Sequence, residues 1–320
     1  MQGQYNERQM ADPRRNRIIA LIAVGLLLIG TALVLRFQHP SLKDLPRGSG
    51  PAGPEVPREP WTRTWTTAPV ILVGLGDSVT AGYGAPPPHS YFNRLVSNPE
   101  DEFPEMQGVC LRAVFPNFKA VNLSMSGSIS SEHAELQLPK IEKAGPDVIG
   151  LIVMTSGGND LVHDYGRSPP REGAMYGARL EEAKPWIENF EKRLHAVFLK
   201  IKDLFPGGCH IFIADIFDPT DGVGDIENAG LPKWPEGEAI LEAYNDVIQR
   251  SRKVFPFVHV VPMNEAFRGH GIHCSEKRTK FRREDATYWY YDNLEDPNER
   301  GYDAIRRLFL IEIEKVLSRR

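Results

Sequence analysis

A chain of 320 residues, 25% of them charged and with a formal net charge of -4, is long enough for one large domain or two small ones. The mildly acidic balance argues against nucleic acid as a partner, which calls for a basic face. No low-complexity block, internal repeat or zinc-spaced Cys/His cluster is present, and no metal or organic cofactor is implied.

Residues 1–17 read as a cytoplasmic tail ahead of an uncharged apolar run at 18–35, interrupted only by Gly25, Gly30 and Thr31. As a helix this run would measure ~27 Å, close to the ~30 Å of a bilayer core. Arg14, Arg15 and Arg17 on its N-terminal flank favour a cytosolic N-terminus. A single transmembrane helix at 18–36 is therefore expected, with the remainder extracytoplasmic; a cleaved signal peptide is the competing reading. Residues 37–67, rich in Pro and Gly, read as an extended tether. Cys110, Cys209 and Cys274 are too few for a disulfide framework, though an exported domain could form one bridge and leave one thiol over.

From residue 68 onward short apolar runs alternate with helical patterns, the signature of a parallel sheet flanked by helices. Strands are expected at 70–75, 120–123, 148–154, 210–216 and 257–261. Helices are expected at 131–143, 180–204, 238–253 and 299–317. In the last of these, Ile305, Leu308, Phe309, Ile313 and Val316 recur at helical spacing as a core-facing stripe.

Three of these strands end in small or polar residues that a plain scaffold would not need together. Gly76-Asp77-Ser78 follows the first, Gly127 sits in a small-residue turn after the second, and Gly157-Gly158-Asn159-Asp160 follows the third. In an open parallel sheet these ends face one edge and converge on one crevice. Taken singly, Ser78 reads as a helix N-cap, Gly127 as a tight turn and Asn159 as a loop cap. Together they suit acyl transfer at a serine. Ser78 would attack a carbonyl, and the backbone N–H groups of Ser78 and Gly127 with the Asn159 amide would receive the oxyanion.

The three blocks resemble those of the GDSL, or SGNH, hydrolases, and the resemblance spans about residues 68–318. It implies a flavodoxin-like three-layer α/β/α sandwich and an esterase, lipase or carbohydrate deacetylase activity with Ser78 as nucleophile. That family usually closes with Asp-x-x-His-Pro-Asn, whereas this chain has Asn293-Leu294-Glu295-Asp296-Pro297-Asn298. Asp296 thus occupies the place of the base histidine. Three readings stay open: His270 or His273, after the fifth strand, supplies the base with Asp296 orienting it; Asp296 is itself a poised base; or the site binds without turnover. The expected activity is hydrolysis of a lipid or carbohydrate ester through an acyl-Ser78 intermediate. A noncatalytic binding protein and an O-acyltransferase on the same site are the alternatives. His163 is placed at the crevice rim, and Tyr288, Trp289, Tyr290 and Tyr291 either line a pocket or pack in the core.

Overall fold

A computed structural model describes residues 42–276 and 283–318. The chain divides into two units, 1–44 and 45–320. Of the first, a short 3-10 turn at Leu42–Asp44 is described. The expected membrane span at 18–36 lies outside the described residues, and among those described no helix is long and apolar enough to cross a membrane.

The second unit is an α/β fold around a five-stranded parallel sheet. Its strands are β1 (Val70–Leu75), β2 (Phe118–Asn122), β3 (Ile149–Met154), β4 (Cys209–Ala214) and β5 (Val258–Val261), in spatial order β2-β1-β3-β4-β5. The helices are α1 (Ser78–Ala81), α2 (Tyr91–Val96), α3 (Leu111–Val114), α4 (Ser130–Glu132), α5 (Gly158–Val162), α6 (Leu180–Leu204), α7 (Gly237–Val254), α8 (Met263–Phe267) and α9 (Glu299–Leu317). The strand order reverses direction between β1 and β3, the point at which open sheets of this kind part their loops into a crevice.

Central strands buried on both faces read as nearly continuous apolar runs, and β1 (VILVGL) and β3 (IGLIVM) do so. The two faces still separate by period two. Val73, Leu75, Ile152, Met154, Ile211 and Ile213 join one core with Phe190, Phe198, Ile240, Tyr244 and Val247 of α6 and α7. Leu72, Leu151, Val153 and Phe212, on the intervening positions, are equally buried. On α2 and α9, which pack together, Tyr91 stacks on Phe309 at 4.9 Å.

Two expectations need correction. The helix expected at 131–143 is broken into the single turn of α4, a π-helical turn at His133–Gln137 and a 3-10 turn at Leu138–Lys140. Pro139 lacks the N–H that would bond the Glu135 carbonyl in a continuous α-helix, which favours a break there. The tether expected at 37–67 is packed and not solvated from residue 45 onward. Leu45, Ala52, Val56, Trp61 and Trp65 are buried, Ala52 N–H donates to Asp303 Oδ2 at 2.9 Å, and Tyr288 N–H donates to the Pro46 carbonyl at 2.7 Å.

That segment meets α9 at a buried charge network. Arg94 and Arg306 both engage Glu102, at 2.6 and 2.5 Å, and Arg306 and Arg307 both engage Asp303. Burial alone would raise the Glu102 carboxyl, but the two guanidiniums outweigh it and hold it at about 2. The three cysteines are buried and free, so none of the possible bridges forms.

Candidate active site

The β1–α1 turn is shaped by two residues with opposite demands. Gly76 has φ +122, and a Cβ there would lie 2.2 Å from the Thr155 carbonyl oxygen, so only glycine fits. Asp77 is the N-cap, accepting from Val79 N–H at 3.1 Å and from the Thr155 hydroxyl at 2.6 Å. Ser78 is consequently the first helical residue and not the cap, with a backbone N–H that an α-helix leaves unpaired.

The loops after β2 and β3 are tied to this turn. The Gly76 carbonyl accepts from Met125 N–H, the Ser128 hydroxyl and the Gln137 amide. The Asn159 amide donates to the Ser128 carbonyl at 2.9 Å. Gly127, next to Ser128, has φ +79 and open space where a side chain would stand. The Asp160 carboxylate anchors Ser130 through its N–H and hydroxyl. One network therefore holds the three loops that carry Ser78, Gly127 and Asn159.

Ser78 and Asn159 line a cavity of about 140 Å³. Its walls include Leu161, Val162, Ile216, Phe217, Trp234, Met263 and Leu294, so most of the surface is apolar. Asp77, Asp215, Asp218, Glu238 and Glu295 also border it, and no Lys, Arg or His does among the described residues. Gly127 is not one of its wall residues.

Asp296 is 2% exposed and lies against the nucleophile position. Burial raises its carboxyl above the usual range, while the neighbouring Ser78 hydroxyl and the Asn293 amide favour the ionised form. Asn293 donates to Asp296 Oδ2 at 2.6 Å and accepts from Asp296 N–H at 3.1 Å, whereas Oδ1 has no well-formed hydrogen bond. Burial also raises Asp77 to about 6 and Glu295 to about 7, with Asp296 adding to both. Three carboxyls thus gather around Ser78, Asp77 and Glu295 in the cavity wall and Asp296 against the hydroxyl without bordering the cavity.

The two histidines after β5 are committed elsewhere. His270 stacks on Trp289 with ring centroids 3.4 Å apart and donates from Nδ1 to the Thr287 carbonyl at 2.9 Å. Its burial lowers it to about 4, and the charges it feels are Asp285, Arg283 and Arg300. His273 spends both ring nitrogens, Nε2 on Asp225 at 2.8 Å and Nδ1 on Glu276 at 2.6 Å. Burial would lower it, but these two carboxylates outweigh burial and raise it. Neither borders the cavity.

Of the remaining residues raised from sequence, Tyr288, Trp289 and Tyr290 are core, and His163 does not reach the cavity wall. His133, at the start of the π-helical turn, meets the wall residue Ser156 from behind at 3.1 Å. The sequence does not single out Glu295, because a glutamate in an Asn-Leu-Glu-Asp-Pro turn reads as solvated. Among the described residues no group of three or more His, Cys, Asp or Glu is arranged to hold a metal ion.

Several solved structures are similar to this chain. A single-residue variant of an acetyl-xylooligosaccharide esterase from Geobacillus stearothermophilus is 18% identical with a TM-score of 0.51, covering 78% of this chain and 96% of that one. An acetyl xylan esterase variant from the same organism gives 18% and 0.50, over 78% and 97%. Phospholipase A1 from Streptomyces albidoflavus gives 18% and 0.49, over 77% and 98%. No curated protein matches by sequence. The sequence does match the GDSL-like lipase/acylhydrolase family across residues 75–304, and the chain belongs to that family.

Proposed function

We propose that this protein is a serine esterase that cleaves a carboxylic ester through an acyl-Ser78 intermediate. The observation that carries the reading is that Ser78 and Asn159 share the wall of one apolar cavity while the Asp296 carboxyl lies against the Ser78 hydroxyl. The Ser78 hydroxyl attacks the ester carbonyl. The N–H groups of Ser78 and Gly127 and the Asn159 amide receive the negative charge that develops on its oxygen, donors of a kind worth ~10²–10³ in rate each. Asp296 takes the Ser78 proton. An ionised aspartate in water is a weak base, but burial raises this one toward the working range.

The apolar walls accommodate an acyl chain, and the row of wall carboxylates favours neutral esters over anionic ones. The transmembrane helix expected at 18–36 would hold the hydrolase unit on the outer side of a membrane, within reach of lipid or glycan esters. The test is a fluorophosphonate probe, which phosphonylates an activated serine. Labelling of wild type that disappears in Ser78→Ala supports the esterase. Failure to label wild type at any pH from 5 to 9, by about an hour of incubation, favours the noncatalytic binding protein.

A further inference from the structure

Glu295 combines features that no other residue of the site shares. It borders the cavity together with Ser78, and among the described residues no hydrogen bond or ion pair engages its carboxyl. The preceding residue, Leu294, is held at φ +68, a left-handed conformation that leucine rarely adopts, and it too lines the cavity. Asn293 Oδ1 accepts from the N–H groups of both Glu295 and Asp296 and closes that turn. One short loop therefore carries two adjacent carboxyls to the nucleophile, Asp296 packed on Ser78 and Glu295 unbonded in the cavity wall.

We infer that Glu295 is the general acid of the reaction, protonating the alcohol oxygen as it leaves while Asp296 handles the proton of Ser78. The inference rests on the esterase reading. In acylation, Asp296 accepts the hydroxyl proton as the Oγ–carbon bond forms and the carbonyl π electrons move onto oxygen. Those electrons return, the bond to the alcohol oxygen breaks, and that oxygen takes the Glu295 proton. Water then attacks the acyl carbon and gives a proton to the ionised Glu295. Asp296 returns its proton to Oγ as the acyl–Oγ bond breaks, so a carboxylic acid departs and both carboxyls are restored.

The charges facing Glu295 are of one sign. Asp296 on its own loop and Asp77 on the β1–α1 turn both oppose its ionisation, although burial is the larger influence, and together they raise it to about 7. Asp215, Asp218 and Glu238 also border the cavity, and no Lys, Arg or His does among the described residues. A carboxyl still protonated near neutrality beside one that must be ionised is the division of labour an acid–base pair requires.

Leaving-group dependence of kcat/KM tests the assignment, because kcat/KM reports acylation alone. The substrates are p-nitrophenyl butyrate, whose phenolate needs no proton, and ethyl butyrate, whose alkoxide does. Glu295→Gln is expected to lose ~10²–10⁴-fold on the ethyl ester but less than about tenfold on the p-nitrophenyl ester. In wild type, ethyl-ester kcat/KM is expected to fall as pH rises through about 7. The p-nitrophenyl profile should lack that limb, and this comparison needs no variant. Equal losses on both esters, or identical wild-type profiles, overturn the role of Glu295. If fluorophosphonate still labels Ser78 in that case, the esterase reading survives; if wild type never labels, both fall.

Discussion

Replacing Asp296 by Asn separates the two chemistries that the last block of the sequence leaves open. The amide keeps the shape of the side chain but cannot take a proton from Ser78. A positioned base contributes ~10²–10⁴-fold, equivalent to about 3–5 kcal/mol of barrier. Turnover of p-nitrophenyl butyrate should fall by that factor in Asp296→Asn. His270→Ala should lose less than about tenfold, because its ring serves the Trp289 stack and the Thr287 carbonyl. His273→Ala should also keep most of its activity while losing stability, since it leaves Asp225 and Glu276 without their shared partner. The assay is initial-rate kinetics, with a melting curve for each variant so that rates are compared on folded protein. A folded histidine variant that loses more than a hundredfold, or an Asp296→Asn enzyme that keeps more than a tenth of its activity, would refute the assignment.

Two further substitutions test the scaffold. Glu102 lies at about 2 in the folded protein against 4.5 unfolded, a difference of about 3 kcal/mol. A lowered folded value means this stabilisation is complete above pH 4.5 and disappears as pH falls toward 2. Glu102→Gln should therefore lower urea stability by about 3 kcal/mol at pH 7, with the gap closing on acidification; a gap that ignores pH, or stays under 1 kcal/mol, contradicts the network. Gly76→Ala should destabilise by roughly 2–6 kcal/mol, combining backbone strain at φ +122 with a 2.2 Å clash against Thr155. Denaturant melts that shift by less than about 1 kcal/mol would show that the turn relaxes freely.

Much of the framework is legible in sequence because its signals are local. The bounds of β1, α6 and α9 follow from unbroken apolar periods, and the sheet edge on which Ser78 and Asn159 sit follows from strand alternation. The N-terminal segment misleads because Pro and Gly report backbone preference and not contact. Trp61 and Trp65, two large apolar residues in a polar stretch, were the available clue to its burial. The histidines mislead for a different reason. Standing after β5 puts His270 and His273 at the correct edge, but side-chain partners decide where a ring goes. A stack on Trp289 and two carboxylates at Asp225 and Glu276 settle that here, and of these only Glu276 is near in sequence.

The carboxyls around Ser78 make sense only in terms of proton traffic. Asp77 rises from 3.8 to about 6 and Glu295 from 4.5 to about 7, each a preference for the neutral form of about 3 kcal/mol. A raised folded value supports the fold at low pH, and that support is lost as pH rises through 6 to 7. Near neutrality the fold therefore carries charges it resists, where glutamine at 295 would avoid the penalty without altering shape. The Asp77 penalty has a structural return, since its carboxylate caps α1 and fixes Thr155. Glu295 has no such return, because among the described residues nothing bonds its carboxyl. What it can do is exchange a proton with whatever occupies the cavity. On the proposed reaction the acid leaves neutral and ionises in solvent, and the same acidic lining then disfavours its return as a carboxylate.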